Sequence, residues 1–212
     1  MDIQIPDEWR QLPKKERREK IRELNRQKED GSNSFKKIRN IAVAAGLIAV
    51  IVVGFVFLTR KTPEQAAFEK NVQNATLDGK IQEFPIEGAD HVAAGTQVDY
   101  KTNPPTSGAH YAVSANWGIY DKEIADGAAV HGLEHGGIWI SYKEIDDETK
   151  KILESIGKSN QGRVIVSPRA ANDAKIAVAS WGRMMKLETA DTVLIQKYID
   201  TYKNQGPEKL AQ

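Results

Sequence analysis

GIWISY at residues 137–142, DDETKKILESIG at 146–157 and RVIVSP at 163–168 read in turn as strand, helix and strand, and this run decides the architecture. The first piece alternates in strand fashion. The second opens with acids in its first turn and closes on glycine, as a helix does. KIAVASW at 175–181 reads as a further strand reached through a polar turn. TADTVLIQKYIDTYKNQGPE at 189–208 puts Leu194, Ile195, Tyr198, Ile199 and Tyr202 on one helical face before Gly206 and Pro207 stop it. Strand, helix, strand, strand, helix predicts an α+β fold: a small β-α-β-β-α sandwich with helices covering one sheet face. Residues 77–130, rich in Gly, Pro, Asp and Asn, predict loops and short strands, so the domain spans 77–212 with a loop-rich N-terminal half. It carries no internal repeat, Walker-type loop, dinucleotide fingerprint or nucleic-acid motif.

Ahead of this domain, Ile41 to Leu58 (IAVAAGLIAVIVVGFVFL) is an uncharged run long enough to cross a hydrocarbon core. We assign residues 41–59 to a transmembrane helix. A cleaved signal peptide fits less well, because a charged segment of forty residues precedes the run, the apolar stretch is too long and no A-x-A site follows it. The near-neutral total charge conceals two halves of opposite sign. Residues 1–61 hold 14 Lys and Arg against 8 Asp and Glu, and residues 62–212 hold 16 against 21. Lys36, Lys37 and Arg39 abut the span, which predicts a single-pass cell-membrane protein with a cytoplasmic N-terminus and an extracytoplasmic C-terminal domain. Arg60 and Lys61 on the far side oppose that bias. The acidic outer half argues against nucleic-acid binding.

Residues 1–40 form a charged cytoplasmic segment, with a helix expected from Pro13 to Asp30, ended by Gly31, and a flexible joint at GSNS, 31–34. A solvated helix is the plain reading, and contact with anionic lipid or a cytoplasmic partner the functional one. Past the membrane, Thr62, Pro63 and Gln65 have the form of a capped helix start, so 60–76 is expected to be a stalk helix.

Chemistry points to the histidines. All four, His91, His110, His131 and His135, lie within one 45-residue stretch, and the last two form HGLEHGG with Glu134 between them. Their spacing puts both rings on one face of either a helix or a strand; Glu134 sits beside them only on a helix. The chain has no cysteine, which excludes thiolate chemistry and thiolate metal sites. Imidazoles with a carboxylate suit zinc, copper or nickel. We therefore expect His110, His131 and His135 to gather round a metal ion, zinc or copper, joined by Glu134 or His91. Pro104 and Pro105 stiffen the chain ahead of His110, and Ser107 and Gly108 can turn it. His91, in the polar stretch GADHVAAGT, also suits an exposed or capping role. The metal-free alternative has the same polar residues rigidifying glycine-rich loops in an interaction domain.

TNPPTSGAHY at 102–111, WGIY at 117–120, HGLEHGGIWISY at 131–142, VIVSP at 164–168 and ASWGR at 179–183 resemble an uncharacterised bacterial family of membrane-anchored domains of unknown function. Its signature is TNPPTSGPHY followed by HxLEHGG. The resemblance spans roughly residues 88–208. It implies a fold, an anchor and a shared set of histidines, with no established activity. Ala109 departs from the pattern, where the family has proline.

HGLEH also matches the H-x-x-E-H of inverted zinc peptidases, in which the glutamate is the general base of a metal-dependent hydrolase. Gly127, Gly132, Gly136 and Gly137 disfavour the sustained helix such a site needs. No long helical domain supplies a downstream ligand, although Glu144, Glu154 and Glu188 are formal candidates. Ser107 lacks the strand, elbow and helix of a serine nucleophile and reads as a turn hydroxyl. Trp181, Met184 and Met185 read as core rather than a soft copper site, because adjacent side chains diverge on any regular backbone.

Overall fold

The structure, a computed structural model, describes residues 6–210. The first five and last two residues, assigned above to the ends of the cytoplasmic segment and the outer domain, lie outside the described residues. The chain divides into two compact units, residues 1–62 and 63–212.

In the first unit, α1 (Asp7–Arg10) precedes one long helix, α2 (Lys14–Thr59). The helix runs unbroken through 31–34, where composition predicted a stop at Gly31 and a joint. Glycine and serine cost only about 0.5–1 kcal/mol each in a helix. A helix already nucleated on both sides absorbs that easily. Within α2, Lys37–Phe57 is long and apolar enough to cross a membrane, and none of it is buried by the chain itself.

The second unit begins with α3 (Pro63–Asn74). It contains β1 (Ile81–Glu83), β2 (His91–Val92), β3 (His110–Tyr111), β4 (Gly118–Ile119), α4 (Asp126–Glu134), β5 (Ile138–Tyr142), α5 (Asp147–Ser159), β6 (Val164–Pro168), β7 (Ile176–Ser180), β8 (Arg183–Leu187) and α6 (Thr192–Tyr202). Six strands form one mixed sheet in the order β1-β8-β7-β5-β6-β4. β4, β6 and β5 run parallel, while β7, β8 and β1 continue antiparallel from β5. Side-chain caps start α5 and α6: Asp146 accepts from the Thr149 amide at 2.7 Å and Asp191 from the Leu194 amide at 3.0 Å. α3 packs against α6, with Val72 buried and the Lys197 ammonium donating to the Gln73 carbonyl.

Both faces of the sheet are covered. Ile138, Ile140, Val164 and Val166 point to one side and meet Leu153 and Ile156 of α5 and Ile195, Tyr198 and Ile199 of α6. Trp139, Ile165 and Ala179 point to the other and meet Ala129, Val130 and Leu133 of α4. The expectation of helices on one face is therefore corrected. Every residue of β5 and β7 is buried, as two-sided burial requires.

Helix α4 was not expected, because its glycines are poor helix formers. Packing reverses that preference: a Cβ on Gly132 would lie 2.9 Å from the Ile165 Cδ1 on the sheet beneath. The helix is buried from Ala129 to Glu134 and ends in a Schellman turn. The Gly136 amide donates to the Leu133 carbonyl and the Gly137 amide to the Gly132 carbonyl, with Gly136 left-handed at φ 81°. At the other end, Arg169 grips both carboxylate oxygens of Asp126, each at 2.8 Å. Sheet, clamp and turn together fix the helix that carries His131 and Glu134.

Candidate metal centre

His91 and His110 are register partners in the parallel pair β2 and β3, so their side chains leave the same face of that ribbon. The ribbon is set by the loop before it. The Thr106 amide donates to Thr102 Oγ1, the Ser107 hydroxyl accepts from the Glu87 amide, and Gly182 binds the Thr106 carbonyl. Tyr100, whose hydroxyl is pushed up to about 12 chiefly by burial, donates to the Ala109 carbonyl at 2.8 Å. Ser107 thus holds the loop, as a turn hydroxyl does.

His131 projects from the last turn of α4 toward this ribbon. The three rings of His91, His110 and His131 form a near-equilateral triangle, with centroids 4.8 to 4.9 Å apart. Glu134 adds a carboxylate oxygen, Oε2, which lies 3.0 Å from His110 Nε2, 3.7 Å from His91 Nε2 and 4.0 Å from His131 Nε2. One ligand atom from each of the four residues lies within 4.8 Å of all the others. Donor atoms on a tetrahedral zinc stand roughly 3.4 Å apart, from bonds of about 2.0–2.1 Å. The measured separations straddle that value, so the cluster can hold a metal ion after small rotamer shifts.

Hydrogen bonding fixes which nitrogens are free. His110 Nδ1 lies 2.8 Å from the Gly108 carbonyl and His131 Nδ1 2.6 Å from the Tyr111 carbonyl. A carbonyl only accepts, so each Nδ1 carries the proton and donates it. In the neutral rings both Nε2 atoms are then bare lone pairs: that of His110 meets the Glu134 carboxylate, which also only accepts, at 3.0 Å, and that of His131 lies 4.0 Å from the same carboxylate and 3.0 Å from His135 Nε2. Carbonyl-anchored Nδ1–H groups behind a converging set of lone pairs are the usual support of metal-bound imidazole.

His135 stands apart from the set of four. It is the C-cap of α4, already off the helical face, and its Nε2 lies 3.0 Å from His131 Nε2 and 3.1 Å from Glu208 Oε2. Glu144, Glu154 and Glu188 take no part in the cluster; Glu154 lies on α5 beside Lys150 and Lys158. Met184 and Met185 are buried in the sheet. Glu208 was missed, since nothing local in its polar tail marks it.

Burial lowers the His131 pKa, reinforced by the neighbouring rings of His135, His110 and His91 and opposed by the bond to Tyr111. The sign for stability follows. Below the ordinary histidine value near 6.5 the unfolded chain takes up a proton that folded His131 resists, so this group favours folding less as pH falls. Metal-free protein should lose thermal stability between about pH 7.5 and 5.5, and His131→Gln should flatten that slope. An unchanged slope would remove His131 as its source.

A family described as "Protein of unknown function (DUF3105)" matches residues 91–212. The chain belongs to this family. The DUF3105 match opens at His91 and so takes in every member of the cluster, together with His135 and Glu208, and lies wholly beyond the apolar helix. No curated protein and no solved structure matches the chain.

Proposed function

We propose that this chain is a single-pass cell-membrane protein whose domain after residue 62 faces away from the cytoplasm and binds a transition-metal ion, zinc or copper, through His91, His110, His131 and Glu134. The observation that carries this reading is the orientation of two buried rings. His110 and His131 spend their Nδ1 protons on backbone carbonyls, which leaves His110 Nε2 3.0 Å and His131 Nε2 4.0 Å from one oxygen of a carboxylate that is itself 7% exposed. Acceptors facing acceptors at 3.0 Å are unfavourable unless a metal ion or a shared proton lies between them, and the metal-binding measurements below separate the two. Three imidazoles, one carboxylate and no thiolate suit zinc or divalent copper. A hydrolase with Glu134 as general base has less support, because its Oε2 occupies a ligand position against His110 rather than the place of a base beside bound water.

Metal analysis of the purified full-length chain tests the reading. After removal of chelator and supply of zinc or copper, at least one ion per chain should stay bound at pH 7.5. Loss of binding is expected as pH falls through the histidine range. A folded chain that retains neither metal above background would refute the reading and return the histidines to loop scaffolding.

The topology has its own test. With any outer wall removed, protease added to intact cells should degrade the domain beyond residue 62 and spare residues 1–40. A protected C-terminal domain would reverse the orientation.

A further inference from the structure

Beside the four-residue cluster stands a second one. Glu134, His135 and Glu208 each bring a ligand atom within 4.8 Å of the other two. We propose that the domain binds two divalent metal ions, the second held by His135 and Glu208, with the Glu134 carboxylate shared between them. The proposal rests on the reading of the first cluster as a metal centre.

Three observations lead to it. The first is a shortage of protons. His131 Nε2 is a bare acceptor because its Nδ1 donates to Tyr111, so the 3.0 Å approach of His135 Nε2 needs one proton between the two rings. Glu208 Oε2, 3.1 Å from the same His135 nitrogen, needs that proton too. A single N–H cannot serve both acceptors at full strength. Two cations, one in front of each ring, satisfy every acceptor at once.

The second is the path of the C-terminal strap, residues 204–210. The Asn204 amide donates to the Gly136 carbonyl, the Glu208 amide to the Glu134 carbonyl and the Leu210 amide to the His135 carbonyl. The strap therefore pairs with the stretch of backbone that carries two of the ligands. Glu208 and Glu134 are joined directly by a main-chain hydrogen bond of 3.0 Å. That bond sets the position of Glu208 independently of its own side chain.

The third is Gly206. A Cβ there would lie 2.2 Å from the Glu134 carbonyl oxygen and 2.6 Å from that of Leu133. Only glycine lets the strap press so closely on the end of α4, and this brings Glu208 within reach of His135.

Two carboxylates and one imidazole form a first shell for a divalent first-row ion. A shared carboxylate places two ions roughly 3.5–4 Å apart. Glu208 is half-exposed and His135 partly so, while His110 is fully buried, which makes the second ion the more weakly held.

The experiment is a zinc count on the full-length chain in detergent. The protein is stripped with chelator, equilibrated against rising Zn2+ by dialysis and measured by plasma mass spectrometry, with circular dichroism to verify the fold. Two ions per chain are expected, the second more weakly bound. Glu208→Gln, which leaves the strap in place, should bind one. Gly206→Ala, which keeps Glu208 but lifts the strap, should also bind one. A single ion in both the native chain and Glu208→Gln would overturn the second position and leave the first standing. Two ions in Glu208→Gln would also overturn it, placing the second ion elsewhere. No zinc in the native chain would remove both readings together.

Discussion

Replacing His131 with alanine should lower zinc affinity by more than about 100-fold while leaving the chain folded. Loss of a mere outer-shell partner already weakens metal sites by roughly 10–100-fold, and His131 is expected to bond the ion directly. Its ring is the hub of the cluster: its centroid lies 4.4 to 4.9 Å from those of His91, His110 and His135, and its Nε2 lies 4.0 Å from the Glu134 carboxylate. Competition against a chelator of known affinity measures the loss. Thermal unfolding supplies a second readout, because an ion at 100 times its Kd stabilises the fold by about 2.7 kcal/mol. That increment should vanish in His131→Ala. If the variant takes up zinc as tightly as the native chain, the ion lies elsewhere and the proposed ligand set is wrong.

Glu134→Gln should separate a metal ligand from a structural carboxylate, because the two roles predict opposite changes in the metal-free protein. In the metal reading Glu134 Oε2 and His110 Nε2 are two acceptors 3.0 Å apart. A glutamine amide supplies the missing N–H, so the metal-free variant should be at least as stable as the native chain. Its zinc affinity should fall by about 100-fold or more, because a neutral amide is a poor ligand for zinc. In the scaffolding reading His110 is a charged imidazolium paired with buried Glu134. Removing one partner of a buried ion pair costs about 3–5 kcal/mol. Denaturation in the presence of chelator decides between them. A large loss of stability without metal would establish Glu134 as a structural partner.

Regular elements were legible where they were long enough to show a period. GIWISY, the helix after Asp146 and the apolar face of the last helix carry their pattern in neighbouring residues, and β5, α5, β6, β7 and α6 follow it. The two-residue strands β2, β3 and β4 are too short to have a period. β8 is built on RMMKL, which lacks the β-branched residues that mark strands. Helix α4 was hidden by its glycines, which are poor in isolation yet required where the helix lies close on Ile165.

The site was legible in part for the same reason. HGLEHGG placed His131 and Glu134 by local geometry, and the proline-rich loop pointed to His110. The partnership of His91 with His110 is a matter of strand register, and Glu208 reaches His135 only through pairing of the distant C-terminal strap. Such long-range contacts leave no local trace in a single sequence.

Exposure is unequal around the cluster. His110 is wholly enclosed, His131 and Glu134 are less than a tenth exposed, and the His91 side chain is about half open at 51%. His91 is also carried on a ribbon strand of only two residues. The cluster is therefore enclosed on three sides and open to solvent at His91. If the cluster holds an ion as proposed, its path to water runs past His91, so replacing that ring should alter the speed of exchange more than the final affinity.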